Sequence, residues 1–310
     1  MKKVTLRHLK IFLTVCEKGS MTAAANHLHM TQPPVSQAIA ELEEYYGVKL
    51  FERFGRKIYL TNEGEKLYSY ASHILALADE AQKQLLDLSQ NGILRVGASM
   101  TIGTAILPFI IKDFYQSYPK TYIQPVVDNT TTIIKMIETA KLDMAIVEGL
   151  VSSADIIKIP VYDDELVLIC PSEHPYAKKK IIEPHELENQ HFVIREEGSG
   201  TREIFEAAMH EYNIKWNIAG VFNSTEAIIN AVHCGLGFSF ISQLLADEAI
   251  KRQKVELVKV PKLKIKRKFN IVYHKNKFIS NAMEKFLGYC QRYFGSIAYV
   301  GVGKNHLFNV

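Results

Sequence analysis

Apolar residues recur at helical spacing from the start of the chain. Leu6, Leu9, Phe12, Leu13 and Cys16 fall on one stripe of a helix that Thr5 opens and Gly19 closes. Ser20 stands where an N-cap belongs, ahead of a short alanine-rich helix from Met21 to Leu28. A tight polar turn, His29 to Thr31, leads into a third helix capped by Thr31. Pro33 and Pro34 lie in its first turn, where missing N–H groups cost little. Val35, Ile39 and Leu42 give that helix an apolar side; Ser36, Gln37 and Ala40 lie off it. Two short helices joined by a three-residue turn make a helix-turn-helix, and Ala23, Ala24 and Ala25 let them cross closely.

The pattern then changes twice. Gly47, Leu50, Phe51 and the run from Arg53 to Thr61 predict a basic hairpin wing. From Glu63 to Ser89, Leu67, Ala71, Ile74, Ala78, Ala81, Leu85 and Leu88 step alternately by four and three, a heptad seam that stops before Gly92. One helix cannot bury such a seam alone. From Ile93 onward, short apolar runs alternate with helical ones. ILRVGAS, YIQPVV, DMAIVEG, ELVLIC, HFVIRE, IAGVF, GFSFIS and KFNIVYH read as strands. TAILPFIIKDFYQSY, TTIIKMIETA, GTREIFEAAMHEY, STEAIINAVHCG and NKFISNAMEKFLGYCQRY read as helices. This alternation predicts α/β layers with mostly parallel sheets.

Charge sharpens the division. Residues 1–62 hold nine Lys and Arg against five Asp and Glu, whereas the remainder balances at 28 against 28. A basic module on a neutral body suits a polyanionic partner. Lys178 to Lys180 and the run from Lys262 to Lys268 read as solvated surface. Cys16, Cys170, Cys234 and Cys290 lie far apart and form no CxxC pair, so they read as buried thiols of a reducing compartment. The N-terminus is interrupted by Arg7, His8 and Lys10, against a signal peptide, and no apolar stretch reaches eighteen residues. The expectation is a cytoplasmic protein with no membrane partner.

No enzyme motif carries the chain. HExxH, GxSxG and a Walker loop are absent. Gly198-Ser199-Gly200-Thr201 lacks the GK[ST] ending, and Gly235-Leu236-Gly237 lacks the last glycine of a dinucleotide site. The sequence predicts no catalytic residue, no metal site and no cofactor. A solute-binding protein is the other competitor, and the N-terminal module argues against it. Gln32, Ser36 and Gln37 are candidate base readers, since Gln and Ser can hydrogen-bond base edges in the major groove. Arg53, Arg56 and Lys57 would lie near phosphates. In the second region Ser99, Thr101 and Thr104 follow the first strand. Ser199, Thr201 and Arg202 follow HFVIRE, and Ser224 precedes another helix. Each is an ordinary N-cap candidate alone; together at strand ends they suit a small anion. Glu148 ends a strand there and could meet a ligand amine or cap a hinge.

Residues 19–64 resemble the LysR-type winged helix-turn-helix. The matching parts are the alanine-rich helix, TQPPVSQAI, GVKLFER and the wing ending LTNEG. RVGASMTIGTAILP, MIETAKLDMAIVEG and NSTEAIINAVHCGLGFSFIS resemble the family's effector domain. The resemblance implies an α/β chain in four parts. A winged helix-turn-helix at 1–62 is followed by a linker and dimerisation helix at 63–91. A two-lobed effector domain like a periplasmic binding protein spans 92–297, and a tail spans 298–310. Lobe I would hold 92–165 and 267–297, lobe II 166–266. It implies a transcription regulator that binds an interrupted palindrome of double-stranded DNA through Thr31, Gln32, Pro34, Ser36, Gln37, Arg53, Arg56 and Lys57. It further implies pairing along the seam into a dimer of dimers, a small anionic metabolite between the lobes, and RNA polymerase as a further partner.

Overall fold

The computed structural model describes residues 3–54, 57–86 and 93–300. The chain divides into two compact units. One holds Met1–Gln90 with Glu138–Lys141 and Asn276–Phe278, and the other holds the remainder.

The first unit contains α1 (Leu6–Lys18), α2 (Met21–His27), α3 (Gln32–Tyr46), the hairpin β1 (Phe51–Phe54) and β2 (Lys57–Leu60), and α4 (Asn62–Leu86). Gly19 ends α1 in the left-handed region, φ 62°, with its N–H on the Val15 carbonyl. Ser20 Oγ accepts from the Ala23 N–H at 3.4 Å and caps α2. Thr31 holds the N-cap position of α3, but its side chain makes no cap bond. Pro33 and Pro34 remove two of the N–H groups such a cap would serve. Leu9, Phe12, Val15, Ala24, Ala25, Val35, Ile39 and Leu42 interlock as the core, closed by Leu50. The glycine of LTNEG has a packing reason, because a methyl group on Gly64 would overlap the Leu50 carbonyl.

The heptad seam divides along α4. Leu67 and Ala71 pack into this core. Ile74 is 44% exposed, and the neighbouring Leu77 is 47% exposed. Ala78 is half-buried and Ala81 exposed. Leu88 and the Leu85 side chain lie outside the described residues.

The second unit opens with β3 (Ile93–Ser99), α5 (Met100–Ala105), α6 (Leu107–Ser117), β4 (Tyr122–Asp128), α7 (Thr130–Glu138) and β5 (Met144–Glu148). β6 (Ile156–Pro171), α8 (Pro175–Lys179), a short 3-10 turn at Pro184–Leu187, β7 (His191–Arg195) and α9 (Gly200–Glu211) follow. β8 (Asn217–Phe222), α10 (Thr225–His233), β9 (Ser239–Ser242), α11 (Gln243–Lys251), β10 (Val255–Val258), β11 (Ile265–His274) and α12 (Asn281–Val300) complete it. One helix was expected from Thr104 to Tyr118. It breaks at Ile106, φ −129°, because Pro108 in the first turn of α6 cannot continue a helix from before it. The last helix starts at Asn281 rather than Asn276, where Ser280 Oγ accepts from the Met283 N–H.

The sheet expectation needs correction. β3 pairs parallel with β4 and β5, and β7 with β8. β11 runs antiparallel to β5 and β6, and β6 antiparallel to β9 and β10. β6 is 16 residues long, and ELVLIC is only its end. Its first half is largely exposed or half-buried and is interrupted by Pro160, which sits opposite Asn270 where the β6–β11 register shifts. A bulge of that kind is where a strand tolerates proline. β6 and β11 serve two cores. Leu94, Val96, Ile110, Phe114, Ile146, Phe269 and Phe286 build the first lobe. Leu166, Leu168, Phe192, Phe205, Phe240 and Ile265 build the second.

Cys170 and Cys290 are buried, and Cys16 is half-buried. Burial pushes the Cys16 thiol up to about 12 and that of Cys170 to about 11. Cys234, expected inside, is exposed at the end of α10.

Candidate functional site

In the first unit the turn between α2 and α3 leaves Thr31, Gln32, Pro34 and Gln37 exposed and Ser36 half-buried, while Val35 and Ile39 point into the core. Helical geometry explains the sorting: positions 35, 39 and 42 share one face, and 32, 36 and 37 fall off it. Gln32 Nε2 donates to Ser36 Oγ at 2.5 Å. Gln37 Nε2 donates to Glu41 Oε1 at 2.9 Å, and the other oxygen of Glu41 lies 3.0 Å from His8 Nε2 on α1. Arg56 and the side chains of Arg53 and Lys57 lie outside the described residues; the β1–β2 backbone that carries the last two is a regular antiparallel hairpin.

In the second unit the strand ends converge where β6 and β11 pass between the lobes. Arg267 on β11 faces Asp164 on β6 in register. Its Nε donates to Asp164 Oδ2 at 2.6 Å, Nη1 to Thr201 Oγ1 at 2.7 Å and Nη2 to Thr101 Oγ1 at 3.3 Å. Glu148 Oε1 lies 4.0 Å from Nη1. Ser242 donates to the second Asp164 oxygen at 2.9 Å. Ser99 donates to the Glu148 carboxylate, and its oxygen accepts from the Glu148 N–H at 3.0 Å. Arg267, Asp164, Glu148, Ser99, Thr101, Ser199 and Thr201 are all buried.

One guanidinium therefore bonds a threonine from each lobe. It is held between two carboxylates, as a cation taken out of water requires. Burial pushes the Asp164 carboxyl above its usual range. The Arg267 charge and the bonds from Arg267 and Ser242 pull it back, and the Glu148 charge adds to the rise.

Backbone contacts shut the cleft beside this cluster. The Thr131 N–H donates to the Gly198 carbonyl at 3.1 Å. A methyl group on Gly200 would overlap the Glu148 carbonyl, and one on Gly149 would come within 2.7 Å of the Gly200 Cα. The glycines at 149 and 200 thus let α9 start directly on the end of β5.

The sequence candidates separate. Ser99, Thr101, Glu148 and Thr201 meet in the cluster, and Ser199 is buried at the N-cap of α9 without a side-chain cap bond. Arg202 is half-buried, with Nε on Glu206 at 2.7 Å. Thr104 is exposed. Ser224 caps α10, accepting from the Ala227 N–H at 3.1 Å. The structure brings neither Thr104 nor Ser224 into the cluster.

Sequence reasoning missed Asp164, Ser242 and above all Arg267, which sits in a basic run read as solvated surface. The missed signal was alternation: Ile265, Arg267, Phe269 and Ile271 share the buried face of β11, while Lys266 and Lys268 are exposed.

Residues 6–65 match the profile of the bacterial regulatory helix-turn-helix protein, lysR family. Residues 89–295 match that of the LysR substrate binding domain. The chain is a LysR-type transcriptional regulator. It is 33% identical over 287 residues to the uncharacterized regulator YeiE of Escherichia coli K12, covering 93% of this chain and 97% of that one. It is 34% identical over 290 residues to a probable RuBisCO transcriptional regulator of Porphyra purpurea, covering 91% and 92%. The regulatory domain of Synechocystis CcmR, solved in complex with 2-PG, superposes with a TM-score of 0.62 at 27% identity. It covers 66% of this chain and 97% of that one. The LysR-type regulator described above thus joins a DNA-binding unit to an effector-binding domain of two lobes. Among the described residues no helix is long and apolar enough to cross a membrane.

Proposed function

We propose that this regulator responds to a small anionic metabolite bound between the two lobes of its effector domain. The observation that carries the reading is the shared guanidinium: Thr101 and Thr201 each spend an oxygen lone pair on Arg267. Each hydroxyl proton stays available to a ligand, and accepting from a cation polarises the hydroxyl and strengthens it as a donor. Ser199 leaves the first turn of α9 without a side-chain cap, so that turn offers N–H groups and the positive end of a 12-residue helix. The related regulatory domain of CcmR takes a small ligand, 2-PG.

In this closed arrangement the candidate residues are buried, so a ligand enters by parting the Gly149–Gly200 contact. It shifts the lobes by its difference in affinity between the open and closed states, about 1–3 kcal/mol for couplings of this kind. Gln32, Ser36 and Gln37 read bases, with Thr31 and Pro34 at the same helix start. Arg53, Arg56 and Lys57 hold phosphates. The α4 face from Ile74 onward pairs with a second subunit, and paired dimers engage an interrupted palindrome.

The test is calorimetry with 2-PG and a panel of carboxylated and phosphorylated metabolites. Thr101→Val and Thr201→Val keep the volume and remove the donor. Each should weaken the anion that binds wild type by about tenfold, the worth of one charge-assisted hydrogen bond. Unchanged affinity in both variants would place the pocket elsewhere.

A further inference from the structure

The second lobe contains a small cavity that the interlobe reading does not use. It has a volume of about 10 Å³ and lies between the end of β7 and the first turn of α9. Val193, Ile194, Phe205 and Phe240 give it apolar walls; Arg195, Thr201, Arg202 and Ser239 give it polar ones, the Ser239 hydroxyl donating to the Val193 carbonyl. Every one of these residues belongs to the second lobe.

Arg195 is the unusual member. It ends β7 and is 3% exposed. Its Nε and Nη2 bond the Glu196 carboxylate at 2.8 and 2.9 Å. Its Nη1 is buried and has no hydrogen-bond partner. A buried guanidinium N–H without an acceptor is costly, and the shortfall is larger for a charged donor than for an amide. Arg202 bonds Glu206 through Nε alone, which leaves two guanidinium nitrogens for another acceptor. Thr201 accepts from Arg267, so its own proton is free to donate. The uncapped start of α9 adds backbone donors and a positive dipole end. Donors left over from two ion-paired guanidiniums thus border a space that admits one water-sized atom.

We propose that this cavity is a carboxylate subsite, in which one oxygen of a ligand carboxylate occupies the space beside Arg195 Nη1 and Arg202 stabilises its charge. One carboxylate oxygen fills the space, and the apolar walls leave no room for a second. Thr201 borders both this subsite and the interlobe cluster. Resting on the interlobe reading, the effector is then an acid with two anionic groups, its carboxylate in the second lobe and its other group at the hydroxyls of Thr101 and Thr201.

The smallest probe is formate. Melting of the full-length chain is followed as sodium formate replaces sodium chloride at constant ionic strength, with formamide as the uncharged control of the same shape. Wild type should show a saturable rise in melting temperature with formate and none with formamide. Arg195→Gln should abolish the rise. Arg202→Gln, at a half-buried position that the fold tolerates, should raise the half-saturating formate concentration about tenfold. Thr104→Val, at an exposed position outside both sites, should leave the formate response unchanged. No formate-specific rise in wild type overturns the proposal, as does a rise that persists in Arg195→Gln. Should Arg195→Gln fail to fold, an unchanged half-saturation in Arg202→Gln overturns it. A response lost in Thr101→Val but kept in Arg195→Gln assigns formate to the interlobe cluster, which sinks the second-lobe subsite and leaves the interlobe reading standing.

Discussion

The recognition helix and the interlobe cluster both depend on polar side chains, but they use them in opposite surroundings. On α3 the glutamines are exposed and bond partners four residues along the same helix. Such contacts are worth a few tenths of a kcal/mol and exchange readily for contacts to a base edge. At Arg267 the polar groups are buried, and the partners come from β5, β6, α5, α9 and β9. Each bond there is expensive to break, because what it leaves behind is an unpaired group away from water. A polar residue on the first unit is poised to change partners. One in the cluster fixes an arrangement.

The largest effect should come from breaking the cluster. Arg267→Ala leaves Asp164 buried without its cation and should cost about 3–5 kcal/mol. At about 2–4 °C per kcal/mol for a unit of this size, the effector-domain melting temperature should fall by about 6–20 °C. The double variant Arg267→Met with Asp164→Leu removes both charges and should recover most of that loss while Arg267→Met alone does not, a difference that a purely steric role for Arg267 would not produce. Equal melting of wild type and Arg267→Ala would mean that the pair contributes nothing to holding the lobes.

Exposed apolar positions on α4 make the opposite prediction. Ile74→Glu removes no core contact at a residue 44% exposed, so the folded monomer should be as stable as wild type. If this face meets a second subunit, the variant buries an unpaired carboxylate at the interface, at a cost of about 1–3 kcal/mol or more. Sedimentation should then show smaller species and operator binding should weaken. An unaltered sedimentation profile would place the interface elsewhere.

The same contrast decides what the sequence could show. The winged helix-turn-helix is local: cap, alanine run, proline pair and terminal glycine lie within about sixty residues and read in order, and Gly64 explains itself once Leu50 is beside it. Ser99, Thr101, Glu148 and Thr201 were also legible, because each ends a strand or begins a helix. Arg267 was not, since its neighbours Lys266 and Lys268 are solvated and only the period of two along β11 separates it from them. Nor was the antiparallel share of the sheet. It depends on β6, whose Pro160 and the paired Asp163 and Asp164 interrupt sixteen residues of strand. Non-local pairing leaves its mark on a chain as alternation, and charged residues on the buried face disguise that mark.

On the recognition helix the expected effect is smaller and concerns ranking rather than stability. Gln37→Ala should leave melting unchanged and cost about 1–3 kcal/mol on the preferred site, with less loss on sites altered at the base it reads. A gel shift across single-base variants of the operator measures this. Uniform weakening on all variants would make Gln37 a backbone contact, and no weakening would make it a solvated residue held by Glu41.

The smallest effect is a dependence on pH, and the cluster's charge sets its sign. A negative charge on Asp164 opposes an anion bound beside it. Asp164 is held above its ordinary value of 3.8, chiefly by burial, so in the folded chain it gains a proton at a higher pH than it does unfolded. Its contribution to stability is fully present below the unfolded value and is lost as pH rises through the folded one. An anion placed at Thr101 and Thr201 raises the Asp164 value further, so binding takes up a fraction of a proton. Affinity should therefore strengthen as pH falls toward the acid range, and calorimetry in buffers of different ionisation enthalpy should detect the uptake. Asp164→Asn is neutral at every pH and keeps an acceptor for Arg267 Nε. It should bind the anion at neutral pH at least as well as wild type while losing both the pH slope and the proton uptake. A slope that survives in Asp164→Asn would mean that the proton is not taken up at Asp164.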